Sequence, residues 1–336
     1  MTTERMTRVT VVVEWDNVRL SELQRARRML GALGRQATEV GTPPAWATEA
    51  EVGFLRSIAT PLEVLVTFDD GEFPEAGVRE VVQGCLPQDS RGLAVRFLPV
   101  PGARYYQLKN AGAALAGGDL IVFLDSDAIP EPGWLQGLLA GFADDSRQVI
   151  GGNTYVEPDG VYGKSFALAW FFPLREDDAG VAPARSFMVN NVAFRRETML
   201  TTGFQDEPGI SKGACIRLAQ RLLSDGVPVH HAPRAHCSHP APNGLRHFLV
   251  RAVAQGRDYA LAPVVPPVSF LGACRQVARY LRWSTRRVVL ERRQVGLSLA
   301  AVPASLAIAW TYYSLYFAGS AMGLVAPGWM RRRFQL

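Results

Sequence analysis

Hydrophobic and polar positions change period several times along this chain. Val9–Asn17 (VTVVVEWDN) is an apolar run closed by polar residues, the pattern of a strand buried on both faces. Apolar positions then recur at Leu20, Leu23, Ala26, Leu30 and Leu33, a helical spacing that ends near Gly34. Leu62–Gly71 and Leu93–Gly102 repeat the strand pattern, and a small-residue helix runs through Asn110 to Leu115. Asp119–Asp125 (DLIVFLD) predicts a fourth strand, and GWLQGLLAGF, residues Gly133–Phe142, a helix after it. Strands alternating with helices predict an α/β fold around a mostly parallel, doubly wound sheet. Beyond Val149 the pattern is mixed. Arg185–Leu200 predicts a strand and a helix start, Cys215–Val227 a helix stopped by Gly226, and Pro228–Pro240 a strand or loop holding four of the five histidines.

In a sheet of this kind ligands collect at the carboxyl ends of the strands. Those ends carry Asp16, Asp69, Asp70, Asp125 and Asp127, so one crevice gathers the acids. Asp125 and Asp127 stand one residue apart, and side chains in an extended segment alternate faces, so the two point the same way if the strand continues. Like charges that close cost free energy unless something cationic lies between them. A calcium loop is excluded, because no Gly stands at its sixth position and no Glu at its twelfth. A phosphatase of the haloacid-dehalogenase type also places D-x-D after an apolar strand, but usually early in the chain and followed by Thr or Val; here "DSDAI" follows about 120 residues of βα pattern. The remaining reading is a clamp for Mg²⁺ or Mn²⁺ on a nucleotide diphosphate, since hard divalent cations take oxygen ligands and leave positions for phosphate.

Charge divides the chain. Of 336 residues, Arg246–Leu336 holds thirteen Arg against two acids, a net of +11, while the rest is mildly acidic at −6. This excludes a nucleic-acid-binding body and predicts a tail that meets an anionic membrane surface. Within the tail, residues 246–294 read as a basic amphipathic helical segment, with seven Arg between Arg275 and Arg293. Residues 295–336 read as a hydrophobic membrane-associated helix or hairpin with an Arg-rich end, because the 32 residues Val295–Ala326 carry no charge. The alternative for this stretch is a buried C-terminal core helix. Arg on both flanks places both ends on the cytoplasmic side, so the expected location is the cytoplasmic face of the cell membrane. Four scattered cysteines without a CxxC pair suit a reduced compartment, and the amino-terminal residues show no signal-peptide pattern.

The ordered motifs between Val9 and about His239 resemble the family 2 glycosyltransferases of the GT-A fold. VTVVVEWDN is similar to the family's opening strand, and EVLVTFDDG to the strand whose acids hold the nucleotide. The most specific block is LKNAGAALAGGDLIVFLDSDAIPEPGWL: a basic residue and Asn, a small-residue helix, a strand, D-x-D, Pro and Trp-Leu. The resemblance implies a GT-A domain over residues 1–245, with a donor half to about 150 and an acceptor half from 151 to 245. It implies donor binding by Asp16, Asp69, Asp70, Lys109, Asn110, Asp125 and Asp127. It implies metal contacts from Asp125, Asp127 and His239, and an acceptor side with Asn191 and Arg195. A zinc site built from His230, His231, His236, Cys237 and His239 is the alternative for the histidine-rich window.

One part departs from the family pattern. An inverting transferase needs a general base for the acceptor hydroxyl. The family supplies it from a Glu-Asp pair opening the helix that ends R-L-x-x-x-G, and aligning RLLSDG (Arg221–Gly226) puts Ala214 and Cys215 there. Asp206 and Glu207, in GFQDEPG, are the nearest acids upstream and the candidate bases. Two expectations follow from different classes: a metal-dependent sugar transferase using a nucleotide-sugar donor and a lipid-linked or glycan acceptor, or a catalytically weakened homologue that binds nucleotide-sugar or serves as a scaffold.

Overall fold

The computed structural model describes residues 6–86, 92–176, 179–205, 213–262 and 268–333. The chain divides into two compact units. The first comprises Met1–Thr154, Arg175–Gln205 and Leu218–Ser238; the second comprises Tyr155–Leu174, Asp206–Arg217 and His239–Leu336.

The first unit is built on one sheet. Its strands are β1 (Val9–Glu14), β2 (Leu62–Phe68), β3 (Leu93–Pro99), β4 (Leu120–Asp125), β5 (Ile129–Pro130), β6 (Val149–Val156), β7 (Ala182–Ala184), β8 (Asn191–Arg195) and β9 (Val229–His239). They lie in the order β3-β2-β1-β4-β8-β6-β9-β5, with β7 on β9. β1 to β4 are parallel, whereas β8 runs antiparallel to both β4 and β6. The four parallel strands are those the apolar runs predict.

Every residue of β1 and β4 is buried, because helices cover both faces. On one face Val9, Val11 and Val13 pack with Val64, Val122 and Leu124 under the Leu23–Glu39 helix, whose Met29, Leu30 and Leu33 are fully enclosed. On the other face runs the Tyr105–Leu115 helix. Gly112 lets it approach the sheet, since a Cβ there would lie 2.5 Å from Val12 Cγ1. That helix carries Lys109 onto the face shared by Glu14 and Asp125.

The second unit is helical. Its main helices are Gly160–Ala169, Gly244–Leu261, Phe270–Leu290 and Val302–Val325, followed by Pro327–Arg333. Gly244–Leu261 and Val302–Val325 meet at backbone distance: a Cβ on Gly256 would lie 1.9 Å from the Tyr316 carbonyl oxygen, and one on Gly319 would lie 2.0 Å from that of Val253. The uncharged stretch therefore forms one 24-residue helix, not a hairpin. Its Ser305, Tyr312, Tyr313, Tyr316 and Ser320 are buried. Among the described residues no helix is long and apolar enough to cross a membrane. The basic segment is likewise only partly a surface. Arg257 is fully enclosed and donates to Asp258 at 2.7 Å, and Arg251 and Arg287 are buried over the rings of Trp170 and Trp283. Periodicity could not reveal this, because an arginine stem packs in a helix interface as readily as it reaches solvent.

Candidate active site

The carboxyl ends of β1, β2 and β4 form the acidic crevice that the pattern predicts. β1 and β4 are in register, Glu14 beside Asp125, so two carboxylates on neighbouring strands share one face. Both are buried, at 0% and 2% exposure. Uncompensated, that arrangement would not hold together.

Lys109 supplies the compensating cation, bonded to Asp125. Its Nζ donates to Asp125 Oδ1 at 2.6 Å, and the side chain is fully enclosed. The other oxygen, Oδ2, accepts from the Tyr105 hydroxyl at 2.7 Å and from Asn17 Nδ2 at 3.0 Å. Asn17 ties the two acids together, since the same Nδ2 donates to Glu14 Oε1 at 2.9 Å. Glu14 Oε2 accepts from the backbone N–H of Asp16 at 2.8 Å. Burial pushes the Glu14 carboxyl well above its ordinary range; the Asp125 charge adds to this and Lys109 opposes it. The Tyr105 hydroxyl is raised for the same reasons, burial first and Asp125 second.

β4 ends at Asp125 and the chain turns there, with Ala128 N–H donating to the Asp125 carbonyl at 3.1 Å. The alternation expected to aim Asp125 and Asp127 alike therefore stops between them. Asp127 is buried at 5% exposure in the turn. Its backbone is held from the far side by Arg25, whose Nε donates to the Asp127 carbonyl at 2.6 Å and whose NH2 donates to the Ser238 carbonyl at 2.8 Å.

At the β1–β2 side, Asp16 accepts from Arg19 at 2.6 Å, and burial raises its carboxyl pKa against the pull of Arg19 and Arg104. Glu72 completes a lattice of alternating charge with the same two arginines, at 3.3 and 3.0 Å. Asp69 serves its own loop, accepting from Gly71 and Gly102 N–H at 3.1 and 2.9 Å, while Asp70 is exposed.

Three further predicted residues make scaffold hydrogen bonds. Asn110 exchanges two hydrogen bonds with the backbone of Phe204, at 2.8 and 2.9 Å, and so pins the chain after the Arg196–Thr202 helix. Asn191 is fully buried; it accepts from Trp134 Nε1 and donates to the Ala235 carbonyl, both at 2.8 Å. Arg195 is paired in register with Leu120, the first residue of β4, roughly 17 Å along the strand from Asp125 at about 3.3 Å per residue. It braces the loop after the Trp134–Ala140 helix through the carbonyls of Phe142 and Arg147. The family resemblance gave Arg195 an acceptor-side place, and antiparallel pairing sets it at the opposite end of β4 from Asp125.

His239 belongs to the second unit. Its Nδ1 lies 2.7 Å from the Pro240 carbonyl, which places the ring hydrogen on Nδ1 and leaves Nε2 as the acceptor nitrogen. Its ring packs on Phe172 at 4.8 Å and Trp170 at 5.8 Å. The zinc alternative does not assemble. Cys237 points into the core, where burial raises its thiol pKa, and His231 pairs with Glu176 at 2.8 Å. Among the described residues no three His, Cys, Asp or Glu side chains gather as a metal cage. Asp206 and Glu207 lie outside the described residues. The helix after them does open at Ala214, with no acid in its first turn.

A Mg²⁺- or Mn²⁺-type ion needs only one or two protein carboxylates when substrate phosphates and water complete its shell. Asp125, with both oxygens already accepting from Lys109, Tyr105 and Asn17, is a poor ligand; Asp127 sits one turn beyond it. The donor set suits a cation bound together with a diphosphate rather than one held by protein alone.

Four residues the sequence reading passed over shape this site: Glu14, Asn17, Tyr105 and Arg25. Glu14 did leave a signal, as the one acid inside an otherwise apolar buried run.

Residues 57–203 match the family described as Glycosyl transferase family 2. A pre-mycofactocin glycosyltransferase of Mycobacterium tuberculosis is 27% identical over 165 residues, covering 47% of this chain and 35% of the relative. A glucosyl-dolichyl phosphate glucuronosyltransferase of Haloferax volcanii is 27% identical over 147 residues, covering 39% and 46%. The chain thus spans less than half the length of these curated relatives. Among solved structures, the mannosyltransferase PcManGT from Pyrobaculum calidifontis, in complex with GDP-Man and Mn²⁺, superposes with a TM-score of 0.53 at 16% identity, covering 97% of this chain and 89% of that one. Residues 57–203 thus resemble a family 2 glycosyltransferase domain, and the chain has a GT-A-like fold.

Proposed function

We propose that this protein transfers a sugar from a nucleotide-sugar donor to a lipid-linked or glycan acceptor at the cytoplasmic membrane face, with inversion at the anomeric carbon and with a divalent cation. The observation that carries this reading is the buried Glu14–Asn17–Asp125–Lys109 network beside Asp127, at the carboxyl ends of parallel strands. Such a network holds a fixed charge pattern against a nucleotide diphosphate. PcManGT binds GDP-Man and Mn²⁺, and a curated relative is named for a dolichyl-phosphate-linked acceptor, which supports the donor class, the cation and the acceptor class.

In this reading Asp127 holds the cation, and Lys109 and Asn17 fix Asp125 as a rigid acceptor for donor hydroxyls. Asp16 and Asp69 border the nucleotide. A cation held at Asp127 would supply neutralisation of the charge on the departing diphosphate. The acceptor oxygen attacks the anomeric carbon as the carbon–diphosphate bond breaks, and a carboxylate takes the acceptor proton. Asp206 or Glu207 is our candidate for that base, because Ala214 and Cys215 cannot supply a carboxylate.

That same vacancy of carboxylates favours the second reading, a homologue that binds donor without turnover. The two separate in one screen of nucleotide-sugars with Mn²⁺. Release of nucleoside diphosphate supports transfer, and thermal stabilisation without release supports binding alone. In the same assay Asp127→Ala should abolish the stabilisation by Mn²⁺ plus nucleoside diphosphate. An undiminished gain in that variant would remove Asp127 from the site.

A further inference from the structure

The Phe270–Leu290 helix carries no acidic residue, and four of its arginines are exposed. Arg275, Arg279, Arg282 and Arg286 recur at i, i+4, i+7 and i+11, so they form one stripe about 16 Å long at 1.5 Å per residue. Among the described residues none of them meets a carboxylate at ion-pair distance. Large apolar side chains stand exposed at both ends of the same helix: Phe270 at 60% and Leu271 at 58%, Val289 at 42% and Leu290 at 64%.

Toward the carboxyl end, the stripe borders an open groove of about 620 Å³. One row of its wall is Arg282, Arg286 and Leu290, and the adjacent row is Leu281, Thr285 and Val289. Trp310, 48% exposed on the Val302–Val325 helix, forms the opposite side. Its indole N–H donates to Thr285 Oγ1 at 3.0 Å, which fixes the ring across the groove. Two cations thus stand beside an apolar trough closed by an amphipathic aromatic ring, a combination suited to the boundary between headgroups and acyl chains.

We propose that this groove binds one anionic phospholipid, its phosphate accepting from Arg282 and Arg286 and one acyl chain lying against Leu281, Val289, Leu290 and Trp310. Charge complementarity selects this occupant. An uncompensated arginine stripe with no acid on its helix repels a basic partner, and the apolar trough favours a chain-bearing phosphate over a soluble one. The site rests on and deepens the membrane-face reading above by naming the lipid-contacting residues, none of which is among those assigned to the donor.

The test uses the full chain and vesicles of phosphatidylcholine, with and without 30% phosphatidylglycerol. Partition should rise with the anionic lipid and fall as salt rises. Each arginine near an anionic surface contributes roughly 1 kcal/mol, about fivefold in partition, so Arg282→Gln with Arg286→Gln should lose on the order of 30-fold. The double lysine variant should retain most of the binding. Phosphatidylglycerol with brominated acyl chains should quench tryptophan emission in the wild type and less in Trp310→Phe. Equal binding to both vesicle types, equal quenching in Trp310→Phe, or undiminished binding of the glutamine variant would each overturn the proposal. Donor hydrolysis by the glutamine variant should match the wild type, so loss of vesicle binding with hydrolysis intact separates this site from the proposed chemistry.

Discussion

Replacing Lys109 with Met removes the cation bonded to Asp125 while keeping most of the side-chain volume. Asp125 then sits in register with Glu14, both enclosed, with only the Tyr105 hydroxyl and the Asn17 amide to stabilise its charge. Removing one partner of a buried ion pair costs about 3–5 kcal/mol, because the survivor is left desolvated. For a domain of this size that corresponds to a fall in melting temperature of roughly 6–20 °C. The pH dependence has a definite sign. Burial already raises the Glu14 carboxyl and Lys109 opposes that rise, so without Lys109 its folded-state pKa climbs further above that of the unfolded chain and folding is favoured with Glu14 protonated. Stability is then retained at low pH and lost as pH rises through the folded-state value. The gap between wild type and variant should therefore widen from pH 5 to pH 8, measured by urea unfolding at each pH. Asp125→Asn in the Lys109→Met background should recover much of the loss, the coupling expected of a pair in contact. A loss below 1 kcal/mol at pH 7, or a gap that narrows as pH rises, would refute this account of the site.

Other outcomes follow from the packing. Gly256→Ala should destabilise the helical unit by several kcal/mol or unfold it, since its Cβ would lie 1.9 Å from the Tyr316 carbonyl; limited proteolysis within residues 239–333 would report it. Asn191→Leu strands the Trp134 indole N–H and the Ala235 carbonyl, which should cost about 2–6 kcal/mol in urea unfolding at roughly 1–3 kcal/mol per stranded group. Where enough Asn191→Leu protein remains folded, its acceptor KM should match the wild type, whereas a raised KM with unchanged stability would restore an acceptor role. Arg195→Gln should leave donor hydrolysis unchanged for the same reason, its contacts being with the 142–147 loop.

Much of the donor half was legible without coordinates. Apolar runs closed by acids located β1, β2 and β4, because a strand covered on both faces must be apolar along its whole length. Their parallel order then gathered Asp16, Asp69 and Asp125 at one edge. The tail's charge asymmetry was equally plain in composition, and it marked the helix that carries the exposed arginine stripe.

Tertiary structure decided what each polar group does. Only strand register places Glu14 beside Asp125, and only the docking of the Tyr105–Leu115 helix brings Lys109 onto Asp125. Asn110 and Asn191 resembled site residues, yet the Asn110 amide bonds the Phe204 backbone and the Asn191 amide bonds the Trp134 indole and the Ala235 carbonyl, and antiparallel pairing of β8 sets Arg195 beside Leu120. The uncharged tail likewise became a packed helix because Gly256 and Gly319 allow two backbones to meet. Hydrophobic period is a local property that a sequence carries on its face. Hydrogen-bond partners and buried charges depend on which distant segments come together, and that only the folded chain fixes.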